Sequence, residues 1–489
     1  MKRQRTIYFN DARHYYLFVF EPPMALEDAW IPIDECAGTS VDTFIYGVAR
    51  GDGLFYPSKV GLRFRDDTRR FESAPSYRVW HNMQSLIDRG LDPLTVLIDR
   101  AHDKGMDFFA SLRIAPQGAS DPAVSSREGG PGFLDDELRE HNFLLLKELA
   151  HDYPTDGIEL DLAAPPGGSP FLFRDEDAAE GMPVLTDWVR RVAEMARSRP
   201  GERAQIGARV YPTEEINTRV GYDVRTWIEE GLVDYVTPMI YAHMVVDSNM
   251  PIDWLVEATE GTNTSVYPML APYYAGMARR YHTREWATPE MMRAAVANYW
   301  DMGVDGMYTF FLKWPIDDAG RTILAEMGDH DLVKDKTKHY LVRRRTDFSD
   351  TVGYDLPLPL EIAHDDIGTS HDMDFYVSDD MEGDADRIRE VRLKILIADL
   401  LADDRLTIKL NGDSLENELC RRAYGSFIDA YWGQWLEFVI EGVRPRKGRN
   451  VLSITLDERA KGVIGTLVVE DAELIIERHP FPSRFGPGR

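Results

Sequence analysis

The sequence predicts an α/β chain: a (β/α)8 barrel followed by an all-β, jelly-roll-like sandwich. Three observations predict it. Over about the first 330 residues, short β-branched or aromatic runs alternate with longer amphipathic stretches. After Met327 the alternation stops and strand-like runs follow one another. No glycine-rich phosphate loop follows any early strand, which weighs against an open nucleotide-binding sheet with the same local pattern.

The predicted barrel strands are Thr6–Phe9, Val41–Val48, Met106–Arg113, Gly157–Leu162, Ala204–Tyr211, Asp234–Tyr241, Ser265–Tyr274 and Gly306–Leu312. Helical patterns fall between them at Asp135–His151, Leu185–Ser198, Val224–Leu232 and Pro289–Met302. Thr288 before Pro289 is a helix start, a capping hydroxyl followed by proline in the first turn. Residues 1–330 are thus read as the barrel, the charged stretch 331–350 as a linker, and 351–489 as the β module. Within the module the predicted strands are Phe375–Val377, Val391–Ile397, Leu406–Leu410, Trp435–Ile440, Val451–Leu456 and Thr466–Ile476. Asn411-Gly412-Asp413 is a hairpin-turn signal.

With 56 Lys+Arg against 83 Asp+Glu, the 489-residue chain carries a formal charge of −27. Such a surface repels phosphate backbones, so nucleic acid is not an expected partner. Two cysteines, Cys36 and Cys420, build neither a disulfide framework nor a thiolate metal cluster, and both are expected as reduced thiols. The apolar run Tyr15–Phe20 is too short for a signal peptide, and no stretch approaches a membrane span. A soluble, cytoplasmic protein is the expectation, although a leader removed earlier would leave the same sequence. A homo-oligomer is compatible with the sequence and not specified by it.

Active residues of such a barrel sit at the carboxyl ends of its strands. In Asp156-Gly157-Ile158-Glu159-Leu160-Asp161-Leu162, alternation puts Glu159 and Asp161 on one face and the apolar residues on the other. With the apolar set packed against helices, both carboxylates point inward, where burial without partners or a task is costly. Strand three ends on Arg113 and strand five carries Arg209 and Tyr211, so two guanidinium groups flank the pair. They hold a carboxylate ionised, clamp an acidic sugar, or merely close the barrel with salt bridges. An ionised carboxylate beside a protonated one is the division of labour of a glycosidase.

Other strand exits deliver Asp11, Glu214, Tyr241, His243, Tyr273, Lys313 and Trp314. Flat rings beside hydroxyl-binding groups suit a sugar ring, so Asp11, Arg113, Arg209, Tyr211, Tyr241, His243, Tyr273, Lys313 and Trp314 are the candidate substrate contacts. Glu214 is a reserve acid. No histidine or carboxylate cluster has metal spacing, so neither metal nor cofactor is expected.

The segment Asp156-Gly157-Ile158-Glu159-Leu160-Asp161, with the later Gly221-Tyr222-Asp223-Val224-Arg225-Thr226-Trp227 and Gly231-Leu232-Val233-Asp234, resembles the family-10-like glycosyl hydrolases. The resemblance implies a TIM barrel and glycosidase activity over roughly residues 1–330. The β4 segment is also similar to the acidic motif of chitinase-type family 18 barrels. There the position of the catalytic glutamate holds Ala163, which argues against a chitinase mechanism. The C-terminal module resembles carbohydrate-associated sandwiches through Asn411-Gly412 and Gly448-Arg449-Asn450-Val451-Leu452.

The leading expectation is therefore a glycoside hydrolase acting on a poly- or oligosaccharide, acidic ones included. Asp161 is its ionised nucleophile or base and Glu159 its proton donor. One alternative is a glycan-binding protein whose barrel lost its chemistry. The other is a lyase or isomerase of acidic sugars, using Arg113 and Arg209 on the carboxylate and Tyr241 or His243 as base.

Overall fold

A computed structural model describes residues 2–11, 16–50, 53–114, 130–162, 172–240, 245–275, 284–345, 352–423 and 433–479. The chain divides into two compact units. One comprises Met1–Tyr241, Pro251–Met269 and Val304–Gly328; the other comprises Ala242–Met250, Leu270–Gly303 and Asp329–Arg489.

The first unit is built on a curled, TIM-barrel-like parallel sheet of nine strands. They are β1 (Arg5–Asp11), β2 (Thr43–Gly47), β3 (Asp107–Arg113), β4 (Gly157–Asp161), β5 (Gln205–Val210), β6 (Tyr235–Pro238), β7 (Ser265–Val266), β8 (Met269–Leu270) and β9 (Gly306–Thr309). Their spatial order is β8-β9-β1-β2-β3-β4-β5-β6-β7. The strands are buried along nearly their whole length, as a parallel sheet covered on both faces requires. Register sets Ser111, Glu159, Gly207 and Tyr235 side by side on β3 to β6. Two residues further along, Arg113 lies beside Asp161, and Arg209 beside Thr237.

Several motif residues build the fold. The Asp156 carboxylate accepts from Phe108 N (2.7 Å), pinning the entry to β4 against β3. Asp223 caps the helix Val224–Glu229 by accepting from Thr226 N (3.2 Å), and the wholly buried Trp227 donates to Thr186 Oγ1 (3.1 Å). Asp234 accepts from Ile206 N (2.9 Å), tying the start of β6 to β5.

The run Ser265–Tyr274, expected as one strand, is three short pieces: β7, β8 and Tyr273–Ala275. Pro268 and Pro272 interrupt it, because proline brings no N–H to a ladder. Tyr273–Ala275 instead pairs with Arg284–Trp286 in a separate two-stranded sheet of the second unit.

In the second unit, a six-stranded antiparallel sheet runs through Lys338–Leu341, Leu467–Arg478, Ile388–Ala398, Gln434–Val439 and Leu419–Ala423, with Leu360–Ile362 also paired to Leu467–Arg478. A four-stranded sheet comprises Ser370–Val377, Gly448–Glu458, Arg405–Leu410 and Asp413–Ser414. Alternate residues of both sheets, among them Leu393, Ile395, Phe375, Leu452 and Ile454, form one apolar cluster. Within the stretch read as a linker, residues Lys338–Leu341 are a strand rather than a connector; Lys338 is buried against Asp379 (2.9 Å), which offsets its charge. Cys36 and Cys420 are both free thiols. No helix among the described residues is long and apolar enough to cross a membrane.

Candidate active site

Four charged side chains meet on the inner face of the curled sheet: Glu159 and Asp161 from β4, Arg113 from β3 and Arg209 from β5. Glu159 is wholly buried, and its Oε1 accepts from Ser111 Oγ (2.8 Å), Arg209 Nε (2.9 Å) and Tyr308 OH (3.2 Å). Its Oε2 accepts from Tyr235 OH (3.1 Å). Tyr235 reaches Glu159 across the intervening strand β5, and it can do so because position 207 is glycine: a Cβ there would collide with the Tyr235 ring. The Arg209 guanidinium also lies over the Phe9 ring, 4.0 Å from its centroid.

Asp161 sits one layer nearer the carboxyl end of β4. Its Oδ2 is 3.2 Å from Arg113 Nε and 3.3 Å from Arg209 Nη1. Its Oδ1 is buried with no hydrogen-bond partner. Tyr211 OH and Thr237 Oγ1 are likewise buried without one, and Arg209 Nη1 has its ion pair with Asp161 Oδ2 but no hydrogen bond. These four atoms belong to the ends of three adjacent strands, β4, β5 and β6. A buried polar atom without a bond is costly, and water or a ligand's polar atoms can complete the bonding at such a place.

Burial raises the Glu159 pKa, and Arg209 opposes the rise without cancelling it. Burial would lower that of Arg209, but Asp161 and Glu159 outweigh it and hold the guanidinium charged. Burial, with Asp161 adding to it, pushes the Tyr211 phenol up, so it stays protonated. Two cations therefore face two carboxylates. The site is acidic at one end and capped by a neutral hydroxyl donor.

The remaining sequence candidates are dispersed. Asp11 is buried at the end of β1, 3.9 Å from Arg50 Nη1. Glu214 opens the helix Glu214–Arg219 at the surface, where its two oxygens accept from Arg225 at 2.7 and 2.9 Å and its pKa falls. Lys313 is exposed and pairs with Asp317 (3.3 Å), and Trp314 packs edge-on against Phe20. Tyr273 packs against Trp286, ring centroids 4.6 Å apart, in the second unit. Tyr241 and His243, with Ala163, lie outside the described residues. Among the described residues no group of three or more His, Cys, Asp or Glu is placed to hold a metal ion.

Ser111, Tyr235, Tyr308 and Thr237 escaped the sequence reading. Strand parity could have found them, since each occupies an inward position two or four residues from one already chosen or on a neighbouring strand.

No protein-family model matches the sequence, and no curated protein does. Among solved structures the chain is similar to a chitinase from Bacteroides thetaiotaomicron (TM-score 0.39, 9% identity, 68% of this chain and 98% of that one). It is also similar to a bacterial fucosidase (TM-score 0.36, 11% identity, 93% and 92%). A cycloisomaltooligosaccharide glucanotransferase from Paenibacillus sp. gives TM-score 0.36 and 10% identity over 96% of this chain, which spans only 57% of that enzyme. Overlaps this small say nothing about what the chain acts on; the chemistry has to come from its own side chains.

Proposed function

We propose that the first unit is a glycoside hydrolase acting on a neutral glycan, with Asp161 as the nucleophile or base. The supporting observation is that Asp161 Oδ1, Tyr211 OH and Thr237 Oγ1 are buried without hydrogen-bond partners at the ends of adjacent strands, with Arg209 Nη1 ion-paired to Asp161 Oδ2 and making no hydrogen bond. One acceptor, one charged donor and two hydroxyls match what a ring rich in hydroxyl groups offers in return. Arg113 and Arg209 hold Oδ2, which leaves Oδ1 for an anomeric carbon or an attacking water.

Glu159 has the raised pKa that a proton donor needs. Both its oxygens are taken by four donors, however, and none of the side chain reaches solvent. Its proposed role is therefore to orient Arg209 beneath Asp161; the leaving oxygen takes its proton from water, and the Tyr211 hydroxyl is a hydrogen-bond donor to the substrate. A uronate clamp is disfavoured, because Arg209 already faces Glu159 and Asp161 and Arg113 faces Asp161. The same proposal takes the sheet as a closed (β/α)8 barrel of the family-10-like type. Residues 265–268 bond on one side to β6 (Tyr267 N to Val236 O, 3.0 Å) and on the other to the start and middle of β9 (Tyr308 N to Pro268 O, 3.2 Å). It takes the second unit as a jelly-roll-like sandwich.

The test is reducing-end release from a panel of neutral and uronate polysaccharides by wild type and Asp161→Asn. Release from a neutral glycan that Asp161→Asn abolishes, in a variant whose cooperative unfolding shows it folded at the assay temperature, supports the assignment. Wild-type rates in the variant overturn it. Glycan binding without release by wild type would establish the non-catalytic alternative instead.

A further inference from the structure

Strand β5 ends at Val210, and the residues that follow it are held by side chains from two helices. Asn217, in the helix Glu214–Arg219 and 1% exposed, makes three of the bonds. Its Oδ1 accepts from Tyr211 N (2.9 Å), and its Nδ2 donates to Tyr211 O (2.8 Å) and Thr213 O (2.8 Å). The carboxamide thus bonds both backbone groups of Tyr211, as a neighbouring strand would. From the helix Asp253–Ala258, Trp254 Nε1 donates to the carbonyl between them, Pro212 O (2.7 Å). Each backbone carbonyl from Tyr211 to Thr213 therefore has a side-chain donor.

The ring is confined as well. Tyr211 is wholly buried and stacks on Tyr222, ring centroids 6.0 Å apart and planes 24° from parallel. Tyr222 in turn donates from its hydroxyl to the carbonyl of Leu162 (2.8 Å), the residue after Asp161. Burial and then the Asp161 charge raise the Tyr211 pKa, which puts the phenol within the field of that carboxylate. A buried hydroxyl free to move would find an acceptor, because the unmade bond is costly. The Tyr211 hydroxyl has none, although acceptors surround its own backbone. The brace on residues 211–213 is what keeps it from turning to one.

We propose that Asn217 is a positioning residue of the first unit: it fixes the Tyr211 backbone so that the phenol hydroxyl stays unbonded to protein and presented to substrate. Asn217 itself touches no reacting group, since all three of its bonds go to backbone. Its effect on turnover rests on the hydrolase reading; the placement of the phenol does not. Trp254 is the weaker half of the same brace, with one bond and a partly exposed ring.

The test uses the full chain and two readouts: fluorine NMR of protein carrying fluorotyrosine, and reducing-end release by the unlabelled protein. Tyr211→Phe identifies the Tyr211 resonance, and Tyr56→Phe identifies that of Tyr56, bonded to Glu148 and serving as the reference. Asn217→Ala should shift or split the Tyr211 resonance and leave that of Tyr56 in place. Asn217→Ala and Tyr211→Phe should each lower kcat/KM about three- to tenfold, the worth of one hydrogen bond. The double variant should lose no more than the larger single change, because both act through one hydroxyl. A purely structural role would make the two losses multiply. Should Asn217→Ala not fold, Trp254→Phe carries the same readouts, with shifts in the same sense. An unmoved Tyr211 resonance in the folded brace variant, or losses that multiply with Tyr211→Phe, would overturn the proposal. If wild type releases nothing from any glycan, the hydrolase reading fails, and the Tyr211 resonance alone decides the role of Asn217.

Discussion

Arg209 donates from Nε to Glu159 Oε1 at 2.9 Å, and neither side chain has any surface in solvent. A buried pair of this kind stabilises little in net terms, because both charges lost their hydration on folding. Breaking it is another matter. Glu159→Gln leaves a guanidinium over Phe9 with less countercharge, and should cost about 3–5 kcal/mol in chemical denaturation. Glu159→Gln combined with Arg209→Met should cost less than the two single changes summed. A Glu159→Gln protein as stable as wild type would contradict the pairing.

Asp161→Asn should lose both stability and turnover. The carboxylate faces two buried arginines, so removing its charge leaves both with less countercharge. Turnover of the protein that remains folded should fall about 10²–10⁴-fold. Activity and denaturation measured on one preparation check both halves.

Gly207→Ala tests the route by which Tyr235 reaches Glu159. The added methyl takes the space of the Tyr235 ring, which is buried and cannot swing clear. Overpacking of this sort costs about 1–3 kcal/mol. Gly207→Ala/Tyr235→Phe should recover less of it than Gly207→Ala/Tyr235→Ala, since the ring carbons as well as the hydroxyl oxygen meet the added methyl. Denaturation of the three proteins decides.

Two carboxylates give opposite pH dependences. Burial raises Glu35 from 4.5 to about 7, against a single bond from Ile316 N. A raised folded-state pKa means that its contribution is full below 4.5 and is lost as pH rises through about 7. Wild type should therefore lose on the order of 2 kcal/mol more than Glu35→Gln between pH 5 and 8. For Glu473 burial acts upward too, but His339 (3.1 Å) and Lys394 (3.3 Å) outweigh it and lower the pKa to about 2. Its contribution is present above 4.5 and disappears as pH falls toward 2. Glu473→Gln should flatten the acid limb of the stability curve and leave the alkaline limb alone; urea titrations from pH 3 to 8 on both variants would show it.

Much of the sheet was legible because alternation is a local property. The inward faces of Gly157–Asp161 and Gln205–Val210 follow from a period of two residues, whatever the rest of the chain does. Helix starts at Asp135 and Thr288 were equally legible, since a cap bonds three residues ahead: Leu138 N reaches Asp135 (2.8 Å) and Met291 N reaches Thr288 (3.3 Å). The pairing of Glu214 with Arg225 is not legible from a strand exit alone, because the arginine lies eleven residues on in another helix.

By itself, then, the sequence determined that two carboxylates and two arginines share the inner face of adjacent strands. Which carboxylate keeps an oxygen without a partner was decided only by the tertiary structure. Tyr308, 149 residues from Glu159, and Tyr235, reaching over Gly207, close on Glu159 and leave Asp161 Oδ1 unbonded. Those bonds depend on register and on the curl of the sheet, which bring distant strands into hydrogen-bonding range. No local periodicity encodes them.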